Sequence, residues 1–139
     1  MRFRDEYWFL SNFYPSEVTL DGITYQTAEA AFQAQKCANP DDRLLFSEET
    51  SGRKAKLLGR KVMLRPDWDE ARIDEMRRVI HAKFSDPRLA GMLAATDGEI
   101  VEDNHWHDTF WGRCDGTGEN WLGRILMEER DWLRAGRTP

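Results

Sequence analysis

The sequence predicts an α+β fold that is mainly helical, with a small β-hairpin near the N-terminus. Three observations indicate this class: one strong hairpin signal, several segments with helix caps and helically spaced apolar residues, and little other strand pattern. The chain has 139 residues, the size of one ordinary domain, and no segment resembles a linker. We therefore expect one domain over residues 1–139.

The hairpin is predicted from Asp21-Gly22, which separates two short segments of alternating residues. Asp-Gly is a strong hairpin signal, because the tight type I′ turn needs two residues that tolerate positive φ. Thr27 suits a helix N-cap. Residues 28–37 follow without Pro or Gly and are rich in Ala and Gln, which predicts a helix.

Further helices are predicted from caps and prolines. Asn39-Pro40 and Asp86-Pro87 each place a capping side chain before a proline at the first helical position. Apolar residues with helical spacing predict further helices. We expect helices from residue 40, from residue 50 or 51 to about 58, from 67 to about 84, from residue 87, and over about 120–135. Residues 99–102 are expected to form a short strand at most.

Composition narrows the class of protein. The net charge of −5 argues against broad, charge-driven binding to duplex nucleic acid. Cys37 and Cys114 have no framework spacing and are expected as free thiols in a reducing compartment. No apolar segment approaches the length of a membrane span, and the polar, aromatic start is unlike a signal peptide. We expect a cytoplasmic protein with no membrane partner.

Glu29 is the first candidate for chemistry. It lies in the first turn after Thr27, where the helix dipole favours a carboxylate. Gln33 and Lys36 follow on the same face, beside Phe32. A carboxylate, an amide and an ammonium beside an aromatic ring could bind a sugar and its phosphate; the alternative is a solvated helix face.

Asp108 is the second candidate, within the segment His105-Trp106-His107-Asp108-Thr109-Phe110-Trp111-Gly112. Apolar neighbours favour the protonated form of a carboxyl group, so this acid could hold a proton near neutral pH. The alternative is an aspartate that caps a turn. The two histidines lack a third ligand at fixed spacing, so we expect no metal.

The third candidate is the glycine-rich segment before the last helix, residues 116–124. Its glycines could free backbone N–H groups to face a phosphate at the helix N-terminus, and the alternative is a plain turn with an N-cap. Lys36, Arg60, Lys83 and Arg124 are the best-placed phosphate anchors. Residues 53–56 carry a run of basic side chains that is expected on an exposed face.

Together these segments resemble the NADAR family, also called YbiA-like, from about residue 9 to residue 130. The resemblance is carried by short motifs in a fixed order: Phe9-Leu10-Ser11-Asn12-Phe13-Tyr14-Pro15, Asp21-Gly22 to Tyr25, Thr27-Ala28-Glu29 with Phe32-Gln33-Ala34 and Lys36, Trp68, Ala82-Lys83-Phe84, Asp108 with Trp111-Gly112, and Gly116-Thr117-Gly118-Glu119-Asn120-Trp121-Leu122-Gly123-Arg124 with Ile125-Leu126-Met127. The family often has His after the glutamate, where this chain has Ala30.

The resemblance implies a YbiA-like fold and an N-glycosidase that needs no cofactor. It implies hydrolysis of the bond between ribose and a base, on a riboflavin-pathway ribosylamino-pyrimidine phosphate or on an ADP-ribosylated base such as guanine, possibly on nucleic acid. The implied functional residues are Glu29, Trp68 and Asp108. The expected substrate contacts are Ser11, Asn12, Phe13, Phe32, Gln33, Lys36, Lys83, Trp111, Gly112, Asn120 and Arg124.

The catalytic hypothesis requires the two acids, Glu29 and Asp108, to act on the same anomeric carbon. Two other readings of the residues stay open. One is a module that binds ADP-ribose or a nucleotide without hydrolysing it, and the other is an interaction domain whose tryptophans all fill the core. The oligomeric state is not indicated by the sequence.

Overall fold

The computed structural model describes residues 2–136, which group into two compact units. One unit comprises residues 12–83, and the other comprises residues 2–11 together with 84–136. The expected single domain stays a prediction, and each unit is described by itself. Over residues 2–136, no helix combines the length and apolar character needed to cross a bilayer.

A β-hairpin opens the unit of residues 12–83. Strand β1 (Pro15–Leu20) pairs antiparallel with strand β2 (Ile23–Thr27), with Val18 opposite Tyr25. The turn residues Asp21 and Gly22 have φ values of 51° and 81°, as a type I′ turn requires. Val18 and Tyr25 are fully buried. The predicted hairpin is confirmed.

Helix α1 (Ala28–Ala34) begins directly after β2. The Thr27 side chain accepts a hydrogen bond from the Ala30 N–H at 3.0 Å, which confirms the predicted N-cap. The prediction that this helix continues to Cys37 is wrong. Cys37 forms an antiparallel bridge with Leu64, and a residue in such a bridge has extended backbone. All seven residues of α1 are buried.

Three more helices complete this unit: a 3-10 helix (Pro40–Phe46), α2 (Gly52–Gly59) and α3 (Trp68–Lys83). Their positions confirm the predicted helices. Asn39 and Ser51 cap the first two, each accepting a backbone N–H. Gly59 is the last residue of α2, and a Cβ there would overlap the Gln33 side chain. The missing side chain therefore allows α2 to pack closely on α1.

An ion-pair network fixes α3 against the hairpin turn. Glu75 accepts from Arg65 at 3.1 Å and from Arg78 at 2.9 Å, and Arg78 also contacts Asp21 at 3.0 Å. Glu75 is buried, so two guanidinium groups offset the cost of burying its charge.

The unit of residues 2–11 and 84–136 contains a 3-10 helix (Asp5–Leu10), α4 (Pro87–Ala94) and α5 (Trp121–Arg134). The 3-10 helix was not predicted. Asp86 caps α4 by accepting the backbone N–H groups of Arg88 and Leu89, as its Asp-Pro pair predicts. The predicted α4 and α5 are confirmed. Their buried apolar residues are Leu89, Leu93, Leu122, Ile125 and Leu126.

A two-residue parallel pair, β3 (Asp103–Asn104) with β4 (Arg113–Cys114), also lies in this unit. The predicted strand over residues 99–102 is wrong. The Ile100 carbonyl and the Glu102 N–H bind the Asn120 side chain. The Asn120 side chain therefore makes the backbone hydrogen bonds that a neighbouring strand would otherwise make.

Candidate active site

Glu29 is buried, with 7% of its surface exposed. It is the second residue of α1, and its backbone N–H donates to the Asn12 carbonyl at 3.0 Å. The alternative of a solvated helix face is therefore wrong at this position. The positive end of the helix dipole stabilises the ionised form of a carboxyl group in the first turn. An ionised Glu29 can in turn stabilise a positive charge on a ligand.

An aromatic pair lies along α1. Phe32 is one turn after Glu29, and its ring packs on that of Trp68, with centroids 5.2 Å apart at 49°. Both rings are buried. Residues three apart share a helix face, so the Phe32–Trp68 pair continues the face that carries Glu29.

Two buried amides, Asn12 and Gln33, have unsatisfied oxygens. The Asn12 Nδ2 donates weakly to the Met76 sulfur at 3.5 Å, and Gln33 packs against Gly59. Neither the Asn12 Oδ1 nor the Gln33 Oε1 accepts a hydrogen bond from residues 2–136. A buried oxygen without a partner costs about 1–3 kcal/mol, so the Asn12 amide is a candidate for hydrogen bonding to substrate.

Lys36 is half-buried after the end of α1. Burial lowers the pKa of its ammonium group; Glu29 opposes this shift, and Lys56 and Arg60 add to it. The ammonium group of Lys36 therefore lies in the field of the Glu29 carboxylate. This position fits the prediction that Lys36 holds an anionic part of the substrate.

Lys83 was expected to anchor a phosphate, but its side chain is fully buried. Burial lowers its pKa to about 7, and its Nζ lies 5.8 Å from the centre of the Tyr14 ring. A phosphate in solution cannot reach an ammonium group that has no exposed surface. Direct phosphate binding by Lys83 is therefore inconsistent with this structure.

Asp108 lies in the other unit and caps a turn. Its Oδ1 accepts the backbone N–H groups of Phe110 at 3.1 Å and Trp111 at 2.9 Å. The buried Asn104 side chain accepts from the Asp108 N–H at 3.1 Å and donates to the Asp108 carbonyl at 2.8 Å. The turn-capping alternative is thus observed. Because Oδ1 is occupied, any proton transfer by Asp108 has to use Oδ2.

The glycine-rich segment uses the N–H groups of residues 119–122, at the start of α5, for backbone packing. The backbone N–H groups of residues 119–122 donate to carbonyls of residues 109–112. These four donors therefore cannot also face a phosphate. Gly112 and Gly118 permit this close packing, since a Cβ at either would overlap neighbouring backbone.

Asn120 was expected to contact substrate, but its side chain is 1% exposed. Its Oδ1 accepts from the Glu102 N–H at 3.0 Å, and its Nδ2 donates to the Ile100 carbonyl at 2.9 Å. Both polar groups are occupied. Asn120 is therefore a positioning residue that holds residues 100–102 against α5.

The remaining predicted contacts of this unit differ in exposure. Arg124 is exposed, with its guanidinium carbon 4.7 Å from the centre of the Trp121 ring. Trp111 is half-buried and meets the Phe110 ring edge to face at 4.8 Å. Ser11 is half-buried at the end of the first 3-10 helix. Arg124 remains accessible to an anion.

The histidines of the tryptophan-rich segment do not build a metal centre. The His107 Nδ1 lies 3.8 Å from the Cys114 sulfur. Within the part of the chain that the structure describes, no group of three or more His, Cys, Asp or Glu side chains is arranged to hold a metal ion.

Sequence reasoning did not single out Asn104. It is 3% exposed and holds the backbone of Asp108. Its position four residues before Asp108 is the one signal that could have indicated this role. Asparagine is common in loops, so this spacing alone does not predict that the Asn104 side chain binds the Asp108 backbone.

Known proteins similar to this chain include several N-glycosidases and riboflavin biosynthesis proteins. N-glycosidase YbiA of Escherichia coli is 34% identical over 133 residues, covering 93% of this chain and 83% of that protein. A riboflavin biosynthesis protein of Vibrio vulnificus is 36% identical, and the chloroplastic riboflavin biosynthesis protein PYRR of Zea mays is 34% identical. The chain spans only 36% and 25% of the length of these two relatives.

The fold is also shared with a solved structure. The NMR structure of E. coli YbiA superposes with a TM-score of 0.84 at 33% identity, covering 98% of this chain and 85% of that one. The match includes the mainly helical α+β architecture. The NADAR domain model matches residues 2–134, nearly the whole chain, and the protein therefore belongs to the NADAR domain family.

Proposed function

We propose that this chain is an N-glycosidase that hydrolyses the bond between a ribose and a nitrogenous base. The similarity to E. coli N-glycosidase YbiA over most of both chains supports this activity. The observation that carries the proposal is the buried Glu29, in the first turn of α1 and in the field of Lys36. Burying a carboxylate costs free energy because the charge loses its hydration. A catalytic role for Glu29 would explain why the chain keeps an acid at this buried position.

The reaction passes through a state in which positive charge develops at the anomeric carbon. In our proposal Glu29 stabilises that charge and activates the attacking water, which adds to the carbon as the bond to the base breaks. The Phe32–Trp68 pair excludes solvent water beside it or stacks a flat base. Lys36 holds an anionic group of the substrate and thereby fixes the sugar.

Asp108 is proposed as the second acid, which orients the ribose or protonates the departing base through Oδ2. The Asn104 clamp and the two N–H groups on Oδ1 support this role, because they fix the carboxyl group in one orientation. A fixed acid transfers a proton at lower entropic cost than a mobile one. Trp111, half-buried, is proposed to contact the base.

Two substrate classes remain in the proposal. The riboflavin biosynthesis relatives favour a ribosylamino-pyrimidine phosphate. The second class is an ADP-ribosylated base, free or in nucleic acid. The net charge of −5 favours a small substrate or a single extruded base over extended duplex contact.

The proposal is tested by replacing Glu29 with Gln, which keeps the size of the side chain and removes its charge. Release of free base from each substrate class is measured by chromatography. We expect kcat to fall by about 10²–10⁴-fold, while Glu48→Gln, which alters an exposed acid, stays at the rate of the parent chain.

Near-parental turnover of a folded Glu29→Gln variant would end the role of this acid. If the parent chain binds ADP-ribose but releases no base from any substrate, the activity itself is refuted and the binding-module alternative is favoured.

A further inference from the structure

Three cations, Lys36, Lys56 and Arg60, form a group beside Glu29, which we call the basic face. Lys56 and Arg60 are four residues apart at the end of α2 and therefore on the same side of the helix. Lys36 follows the end of α1, which packs on α2 through Gly59. The fields of Lys56 and Arg60 both reach Lys36, so the three charges lie close together.

The basic face has no ion-pair partner within the part of the chain that the structure describes. Among residues 2–136, none of its three side chains forms an ion pair, whereas Arg65, Arg78 and other arginines of the same unit pair with carboxylates. At Lys36, the field of one acid, Glu29, is set against the fields of two cations, Lys56 and Arg60. Such a local excess is unusual in a chain of net charge −5.

An aromatic ring borders the basic face. Phe13 is 41% exposed, and the Nζ of Lys56 lies 5.9 Å from the centre of its ring. The ring rests on Gly52, where a Cβ would lie 2.7 Å from the Phe13 Cδ1. Because no side chain at residue 52 pushes the ring away, Phe13 stays beside the cations.

We propose that the basic face binds a phosphate group of the substrate, with Phe13 packing against the atoms next to that phosphate. Lysine and arginine form short, charge-assisted hydrogen bonds with phosphate oxygens. The Glu29 carboxylate excludes a second anion on its own side, so the phosphate lies away from the acid and the ribose lies between them. This inference rests on the proposed function. It assigns Lys56 to the substrate instead of to an exposed helix face, and it places Lys56 beside Arg60 and Lys36, which the sequence already predicts as phosphate anchors.

The test separates phosphate binding from hydrolysis. The double variant Lys56→Gln/Arg60→Gln is compared with Lys54→Gln/Lys61→Gln, which removes the same charge from exposed lysines nearby. Affinity for pyrophosphate and inorganic phosphate is measured by calorimetry. We expect Kd to rise about 10-fold or more in the first variant and to stay near the parental value in the control.

Two further ligands distinguish the source of the phosphate. Ribose 5-phosphate probes a sugar monophosphate, and ADP-ribose probes a diphosphate; the one that loses more affinity in the Lys56→Gln/Arg60→Gln variant identifies the group that the basic face holds. Equal affinities in both double variants overturn the inference even if base release is normal. If the Lys56→Gln/Arg60→Gln variant loses phosphate affinity while the parent chain releases no base from any substrate, the result supports phosphate binding by the basic face and refutes the proposed hydrolysis.

Discussion

Asn104 holds the backbone of Asp108 with both ends of its side-chain amide. The amide oxygen accepts the Asp108 N–H at 3.1 Å, and the amide nitrogen donates to the Asp108 carbonyl at 2.8 Å. Asn104 is itself fixed in β3, opposite Cys114 of β4. A two-residue strand pair thus determines where the proposed second acid lies.

Replacing Asn104 with Ala should therefore slow the proposed reaction as well as destabilise the fold. The half-buried peptide groups of Asp108 lose two partners, which costs about 1 kcal/mol. A small displacement of a catalytic group reduces rate by up to about 100-fold, so we expect kcat to fall at least about 10-fold with little change in KM. Steady-state kinetics and urea unfolding measure the two effects.

A matched control is Asn39→Ala, which removes a side chain that accepts the Asp41 N–H before another helix. It should cost about 0.5–2 kcal/mol of stability and leave kcat unchanged. If Asn104→Ala loses stability but keeps its kcat, Asn104 is only structural, and Asp108 does not depend on its placement.

The elements that the sequence predicts well are those with a local chemical cause. Asp21-Gly22 satisfies the left-handed φ values of its turn, and Thr27 and Asp86 each accept the N–H groups that a helix start leaves unpaired. Such signals depend on residues a few positions apart, so one sequence is enough to recognise them.

The elements that the sequence did not predict depend on distant partners. Residues 99–102 have a strand-like composition, yet Asn120 binds their backbone from 18–20 residues away. The end of α1 is set by the pairing of Cys37 with Leu64. In the candidate site, Glu29 was predicted from its helix position, but the burial of Lys83 follows from packing and has no local signal.

Gly59 and Gly91 should respond to alanine with opposite signs. Both lie within helices, where alanine is preferred. A Cβ at residue 59 overlaps the Gln33 side chain, whereas nothing lies within 4 Å of a Cβ at residue 91. We expect Gly59→Ala to destabilise by about 1–3 kcal/mol and Gly91→Ala to stabilise by about 0.4–1 kcal/mol. Thermal unfolding measures both, and stabilisation by Gly59→Ala would contradict the close packing of α1 on α2.

The buried Lys83 predicts a pH dependence of stability. Burial lowers the pKa of its ammonium group from the usual 10.5 to about 7 in the folded chain. Between these values the unfolded chain binds a proton that the folded chain lacks. The free energy of unfolding should therefore rise with pH across this window, and below pH 7 the full cost of charging the buried group is present.

Lys83→Met removes this contribution, because methionine does not titrate. The unfolding free energy of the parent chain minus that of the variant should increase from pH 7 to pH 10, with a slope of at most about 1.4 kcal/mol per pH unit. Urea unfolding at several pH values measures it. Lys61→Met, which removes an exposed ammonium group, serves as the control. A difference between parent and Lys83→Met that is flat over this range would show that the Lys83 amine keeps its proton in the folded chain, stabilised by a neighbouring acceptor in spite of its burial.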